Sequence, residues 1–170
     1  MTSTATTTQV HRIYIRATPQ AIWDAITKPE WMDRYGYGGH YESELRTGAP
    51  YRILTTDDMK KAGAEMGFEV PDVAVDGEVV ELDAPRRLVL TWRMAMDPVA
   101  AAEGFTRLTY EIKEVAGGYA ELTIVHELDG APAHAAQVAG GQDAAQGGGG
   151  WPWVLSDLKS LLETGKPLAG

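Results

Sequence analysis

The chain has 170 residues and a formal net charge of −9 at neutral pH. That length fits one packed domain, and that charge argues against nucleic acid or an anionic membrane surface as partner. Apolar residues make up 44% of it, which supports a core and excludes an intrinsically disordered chain. Cysteine is absent, which rules out disulfides, thiolate metal sites and a cysteine nucleophile, and fits a reducing, cytoplasmic location.

Residues 1–9 are Thr-rich. They lack the basic start and apolar centre of a secretory signal and are expected to form a disordered tail. The domain is expected to span 10–166. Val10 to Arg16 alternates, with His11, Ile13 and Ile15 on one face, and predicts a half-buried strand. Thr18-Pro19 then reads as a helix N-cap followed by proline in the first turn. Ala21, Ile22, Ala25 and Ile26 follow at helical spacing, and Pro29 opens a second short helix carrying Trp31 and Met32.

Strands dominate the middle of the chain. Tyr41 to Leu45 and Tyr51 to Thr55 predict a hairpin, and Thr56 to Pro71 a long charged connection. Val73 to Leu82 predicts a strand in which Gly77 marks a bulge or a point of close packing. Arg87 to Met96 turns Leu88, Leu90, Trp92 and Met94 to one side. Phe105 to Val115 and Tyr119 to Leu128 flank the turn Ala116-Gly117-Gly118. Leu108, Tyr110 and Ile112 share a face of the first strand, and Leu122, Ile124, His126 and Leu128 share one of the second.

Between Ala131 and Gly150, alanine and glycine take 13 of 20 positions, too little side chain to form a core of its own. From Trp151 the period becomes helical through Leu155, Leu158 and Leu162, with Asp157, Lys159 and Ser160 on the other side. Gly165 and Pro167 end this helix. The order of elements is α+β: a curved antiparallel sheet of six or seven strands, with the long last helix as the only element able to cover its apolar face.

Several stretches match a known family in order and spacing. They are Ile13-Tyr14-Ile15-Arg16-Ala17-Thr18-Pro19, Pro29-Glu30-Trp31-Met32, Gly77-Glu78-Val79-Val80-Glu81, Leu88-Val89-Leu90-Thr91-Trp92, Thr123-Ile124-Val125-His126 and Gly150-Trp151 onward to Gly165. Together they resemble the START-like (SRPBCC) superfamily, and within it the domain family named after the activator of the heat-shock chaperone's ATPase. The resemblance implies a helix-grip fold, in which the sheet wraps the last helix and leaves an apolar cavity between them. It leaves function open among lipid carriers, hormone receptors, cyclases, oxygenase domains and chaperone activators.

Gly147 to Gly150 is not a phosphate loop of the nucleotide-binding kind. No Lys-Ser/Thr follows it. The glycines form either a loop before the last helix or its first turn. Four interior helical glycines would cost about 4 kcal/mol, which favours the loop. His126 ends an inward-facing row. It is either a core-edge histidine bonded to backbone or a polar group of the cavity, there as a contact or a general acid or base. His11, His40 and His134 share no spacing, and serine occurs only at 3, 43, 156 and 160 with no Gly-x-Ser-x-Gly. No metal, other cofactor or catalytic residue is therefore assigned.

The expected ligand-binding residues are Trp92, Tyr110, Leu90, Leu108, Ile124, His126, Trp151 and Leu155, since each turns inward. Trp153 points off the main stripe, toward a cavity rim or a dimer contact. The leading expectation is a domain that binds a small hydrophobic or aromatic ligand, as a monomer or homodimer without membrane insertion. A chaperone-ATPase-regulating or other protein-interaction domain is the alternative, followed by a small-substrate cyclase or hydrolase.

Overall fold

The computed structural model describes residues 7–143 and 148–168. Seven strands form one antiparallel sheet: β1 (Thr8–Ile15), β2 (His40–Ser43), β3 (Pro50–Leu54), β4 (Val73–Asp83), β5 (Arg87–Met94), β6 (Thr106–Val115) and β7 (Tyr119–Glu127). Their order across the sheet is β1-β7-β6-β5-β4-β3-β2. Only the step from β1 to β7 joins strands distant in sequence. Helices α1 (Pro19–Thr27) and α2 (Pro29–Met32) follow β1, as expected, and Thr18 caps α1 by accepting the Ala21 N–H at 3.1 Å. The last helix, α6 (Gly150–Thr164), lays Trp151, Leu155, Leu158 and Leu161 into one buried cluster with Leu108, Leu122 and Ile124 of the sheet. This is the helix-grip arrangement.

Three further helices were not foreseen. The connection after β3 holds α3 (Asp57–Glu65), capped by Thr56 and carrying Asp57 and Asp58 in its first turn. The Thr-Asp-Asp start was legible; the low apolar content hid it. The link from β5 to β6 holds α4 (Pro98–Glu103), with Asp97 as N-cap, so β5 ends at Met94 rather than Met96. The alanine-rich stretch holds α5 (Pro132–Ala139), whose inward residues His134 and Val138 are buried. Alanine is the best helix former, and about two turns with two buried residues suffice because they pack onto α6. Strand β1 begins at Thr8, inside the segment expected to be a tail, since Thr8 and Gln9 pair with Glu127 and His126.

Gly77 is a close-packing point, and the register shift of β4 lies beyond it, between Val79 and Glu81. A Cβ on Gly77 would stand 1.9 Å from the Thr91 carbonyl oxygen and 2.8 Å from the Tyr51 ring. The missing side chain lets Tyr51 cross β4, and its hydroxyl donates to Thr91 O at 2.6 Å. Gly77→Ala is therefore expected to destabilise the fold by about 2–3 kcal/mol, as overpacking against backbone does. Urea unfolding checks this; an unchanged midpoint would mean that the sheet yields at this point.

Candidate functional site

The strand register brings the expected site residues together. Leu90 of β5 lies opposite Leu108 of β6, which lies opposite His126 of β7. One pair along, Leu88, Tyr110 and Ile124 form a second row. Trp151 and Leu155 descend on these rows from α6. Of the eight residues, all but Tyr110 are at most 8% exposed. The Trp92 ring meets the rings of His126, His134 and Trp151 at centroid distances of 5.1, 5.8 and 6.2 Å. Tyr110 meets Trp151 edge-on at 6.2 Å. This is a packed aromatic core.

His126 is completely buried, and its partners are side chains rather than backbone. The Trp151 indole Nε1–H donates to His126 Nδ1 at 3.1 Å. Indole is only a donor, so the imidazole proton sits on Nε2. Nε2 lies 2.7 Å from Thr106 Oγ1, whose own proton goes to the Trp92 carbonyl at 2.7 Å. The chain Trp151→His126→Thr106→Trp92 O therefore runs in one direction with each of these groups satisfied. Burial pushes the His126 pKa down to about 3, helped by the nearby His134 and His11. With both ring nitrogens engaged and the proton-accepting one facing an indole N–H, His126 has no free position for general acid or base work.

Two buried polar anchors had no signal in the spacing. His134 was set aside, yet it is fully buried. Its Nδ1 donates to Glu103 Oε1 at 2.8 Å, and its Nε2 accepts the Met94 N–H at 3.0 Å. Glu103 also accepts the Ala133 and His134 N–H groups, so it caps α5 from α4. Burial works against the Glu103 carboxylate, but those donors outweigh it and hold its pKa below the ordinary value. Asp157, expected on the solvent side of α6, is 2% exposed. It accepts the Gly36 N–H at 2.7 Å and the Leu168 N–H at 2.6 Å, binding α6 to the loop after α2 and to the end of the chain.

The glycine run settles as a joint. Gly147 lies outside the described residues; Gly148 and Gly149 precede the helix, and Gly150, at φ +59°, is its first residue. A Cβ on Gly150 would lie 2.4 Å from Val138 O, and one on Gly140 would lie 2.3 Å from Gly149 O. Glycine is required because the end of α5 and the start of α6 touch backbone to backbone. The Gly148 N–H donates to Asp143 O and the Gly149 N–H to the Tyr37 hydroxyl, both at 2.8 Å, so neither is free for an anion. Trp153 is half-buried against Gly149.

Tyr110 stands apart from its row. It is half-buried, while Leu108, Ile112, Leu88 and Ile124 around it are buried. Its hydroxyl lies among those of Tyr35, Tyr41 and Tyr51, which interact electrostatically with one another. Burial raises the pKa of all four above that of free tyrosine. Tyr35 donates to Ala25 O at 2.9 Å and Tyr51 to Thr91 O. Among the described residues, no acceptor lies within hydrogen-bond distance of the buried Tyr41 hydroxyl. No described residue makes a hydrogen bond to the Tyr110 hydroxyl either. Elsewhere, a surface groove of about 370 Å³ runs along Asp83, Arg87, Glu111 and Lys113, and one of about 270 Å³ along Tyr14, Tyr119 and Lys159. Neither is lined by an expected ligand residue. Among the described residues no His/Asp/Glu cluster could hold a metal ion.

A family profile described as "Activator of Hsp90 ATPase homolog 1-like protein" matches residues 16–163. No curated protein matches. Many solved structures do. DynU16, from the dynemicin biosynthetic locus, shares 22% identity at a TM-score of 0.64, over 95% of this chain and 49% of its own. NE0264 from Nitrosomonas europaea shares 16% at 0.63, over 98% and 100%. The Aha1 dimer from Colwellia psychrerythraea shares 18% at 0.59, over 94% and 98%. At these identities the likeness fixes the fold.

A buried neutral histidine makes stability depend on pH. Its folded pKa of about 3 lies below the ordinary 6.5, so the unfolded chain takes up a proton that the native state refuses. The stabilisation is complete above pH 6.5 and is lost as pH falls toward 3. Glu103 acts in the same direction, but only below its ordinary pKa of 4.5. Between pH 6.5 and 5, unfolding free energy should fall by about 1 kcal/mol per pH unit through His126, with a smaller part from His11, whose pKa burial also lowers. Urea unfolding across that range should give a flatter profile for His126→Gln; an identical slope would contradict the assignment.

Proposed function

The chain belongs to the Activator of Hsp90 ATPase homolog 1-like family, and from that premise we propose that it is a small-molecule binding domain, taking a hydrophobic or aromatic ligand between the sheet and α6 in the space beside Tyr110 and Trp151. The observation that carries the reading is the exposure of Tyr110. A residue in the centre of the sheet's inner face, with buried neighbours on its own strand and on both partner strands, should be covered in a close-packed core. The surface that remains on it, where the other seven residues are at most 8% exposed, supports a ligand contact at this side chain.

The rest of the expected cavity is occupied by the protein itself. Trp92, His126 and Trp151 fill the space at one end of the rows, and their hydrogen bonds are complete. They support the ligand space as a wall. Catalysis finds little footing here. His126 is engaged, the Ser156 and Ser160 hydroxyls bond to backbone carbonyls of Pro152 and Lys166, and neither has a histidine partner.

Native mass spectrometry and thermal shift with a panel of two- and three-ring aromatic compounds test this. Saturating ligand should raise Tm by several degrees through mass action. Tyr110→Trp, which pushes an indole into the space, should weaken binding at least tenfold while leaving the circular dichroism unchanged. Binding that survives Tyr110→Trp would place the site elsewhere. Absence of any binding, together with stimulation of a chaperone's ATPase, would replace this reading by the protein-interaction one.

A further inference from the structure

Resting on that reading, we infer that the ligand carries an uncharged hydrogen-bond acceptor, foremost a carbonyl oxygen, which the Tyr41 and Tyr110 hydroxyls bind. Tyr41 is 3% exposed, and among the described residues no acceptor lies within hydrogen-bond distance of its hydroxyl. Leaving a buried donor unmade is costly, and such groups are rare in folded proteins. Ser43, two residues along β2, is the polar group that meets it, and acts in the sense of a donor, opposing the upward push of burial on Tyr41. Its Oγ accepts the Leu45 N–H, and a proton given by Ser43 still leaves the Tyr41 proton without an acceptor.

The neighbouring tyrosines sharpen the contrast. Tyr35 and Tyr51 spend their protons on the carbonyls of Ala25 and Thr91. Tyr41 and Tyr110 keep theirs, and both lie within electrostatic reach of each other. A buried phenolic O–H without an acceptor, beside a half-buried second one with no hydrogen bond to a described residue, calls for an acceptor from outside.

The charge of that acceptor follows from what surrounds it. The buried polar residues are threonines, His126, His134 and Asp157. Among the described residues no lysine or arginine is buried, so an anionic ligand would lose its hydration without gaining a counter-ion. His126 is held neutral by its partners. A ketone, quinone, ester or amide oxygen meets two phenols without that penalty, and the flanking Trp151 ring suits an aromatic body.

Isothermal titration with 1-tetralone and with tetralin, its hydrocarbon counterpart, separates the outcomes. In Tyr41→Phe/Tyr110→Phe the Kd for tetralone should rise about tenfold, the usual effect of losing such hydrogen bonds, while the Kd for tetralin stays within twofold. Equal changes for both compounds, or none for tetralone, would overturn the inference and leave the binding reading standing. Binding of neither compound to the unaltered protein would overturn both. The ligand-free protein gives a second readout. Tyr41→Phe should leave Tm equal or higher, because it removes an unsatisfied group; a fall of several degrees would show that the hydroxyl has a partner already and would also overturn the inference.

Discussion

The one-way hydrogen-bond chain from Trp151 through His126 and Thr106 to the Trp92 carbonyl organises the inside of this protein. It links the first turn of α6 to β7, β6 and β5 in succession. Helix and sheet could slide over one another on apolar contacts alone, since those are non-directional. A buried indole N–H and an imidazole that each accept one arrangement remove that freedom. Any shift of α6 along the sheet strands a donor in a dry interior, where the loss is largest.

Two other anchors fix the same helix from different sides. Asp157 pins its middle to Gly36 and to Leu168. At its start, Gly140, Gly149 and Gly150 let α5 approach within backbone contact, and α5 is held in turn by Glu103 and His134. With α6 fixed at three places, the ligand space proposed beneath it would be what the side chains leave over. The proposed space lies at Tyr110, beside a group of tyrosines that includes Tyr51 at the narrow crossing over Gly77.

The fold was largely legible in the sequence because it is written in periodicity. Alternation gave β5, β6 and β7 within a residue or two, the Thr18-Pro19 cap gave α1, and the leucine spacing gave α6. The inward set Leu90, Leu108, Ile124 and His126 followed from alternation as well. What periodicity could not supply was tertiary pairing. Glu103 and His134 are 31 positions apart, and only the packing of α4 against α5 brings them together. Asp157 broke the amphipathic pattern of its own helix because its partners are backbone N–H groups of distant segments, which carry no residue-type signal. The alanine-rich α5 was missed since two buried residues make too short a period to count. Filling of the expected cavity by Trp92 and Trp151 depends on ring orientation, which alternation does not encode.

The proposed function thus turns on a division of the inner face, closed around His126 and, on that reading, open at Tyr110. The closed part has the completeness expected of structure, and beside Tyr110 lies the one unsatisfied tyrosine hydroxyl found buried among the described residues, that of Tyr41. A crystal structure grown with a bound aromatic ketone tests that division most directly. The account predicts density between Tyr110 and Trp151, with the Trp151–His126–Thr106 bonds unchanged. Density that displaces Trp151 from His126, or that lies outside the sheet–helix interior, would contradict it.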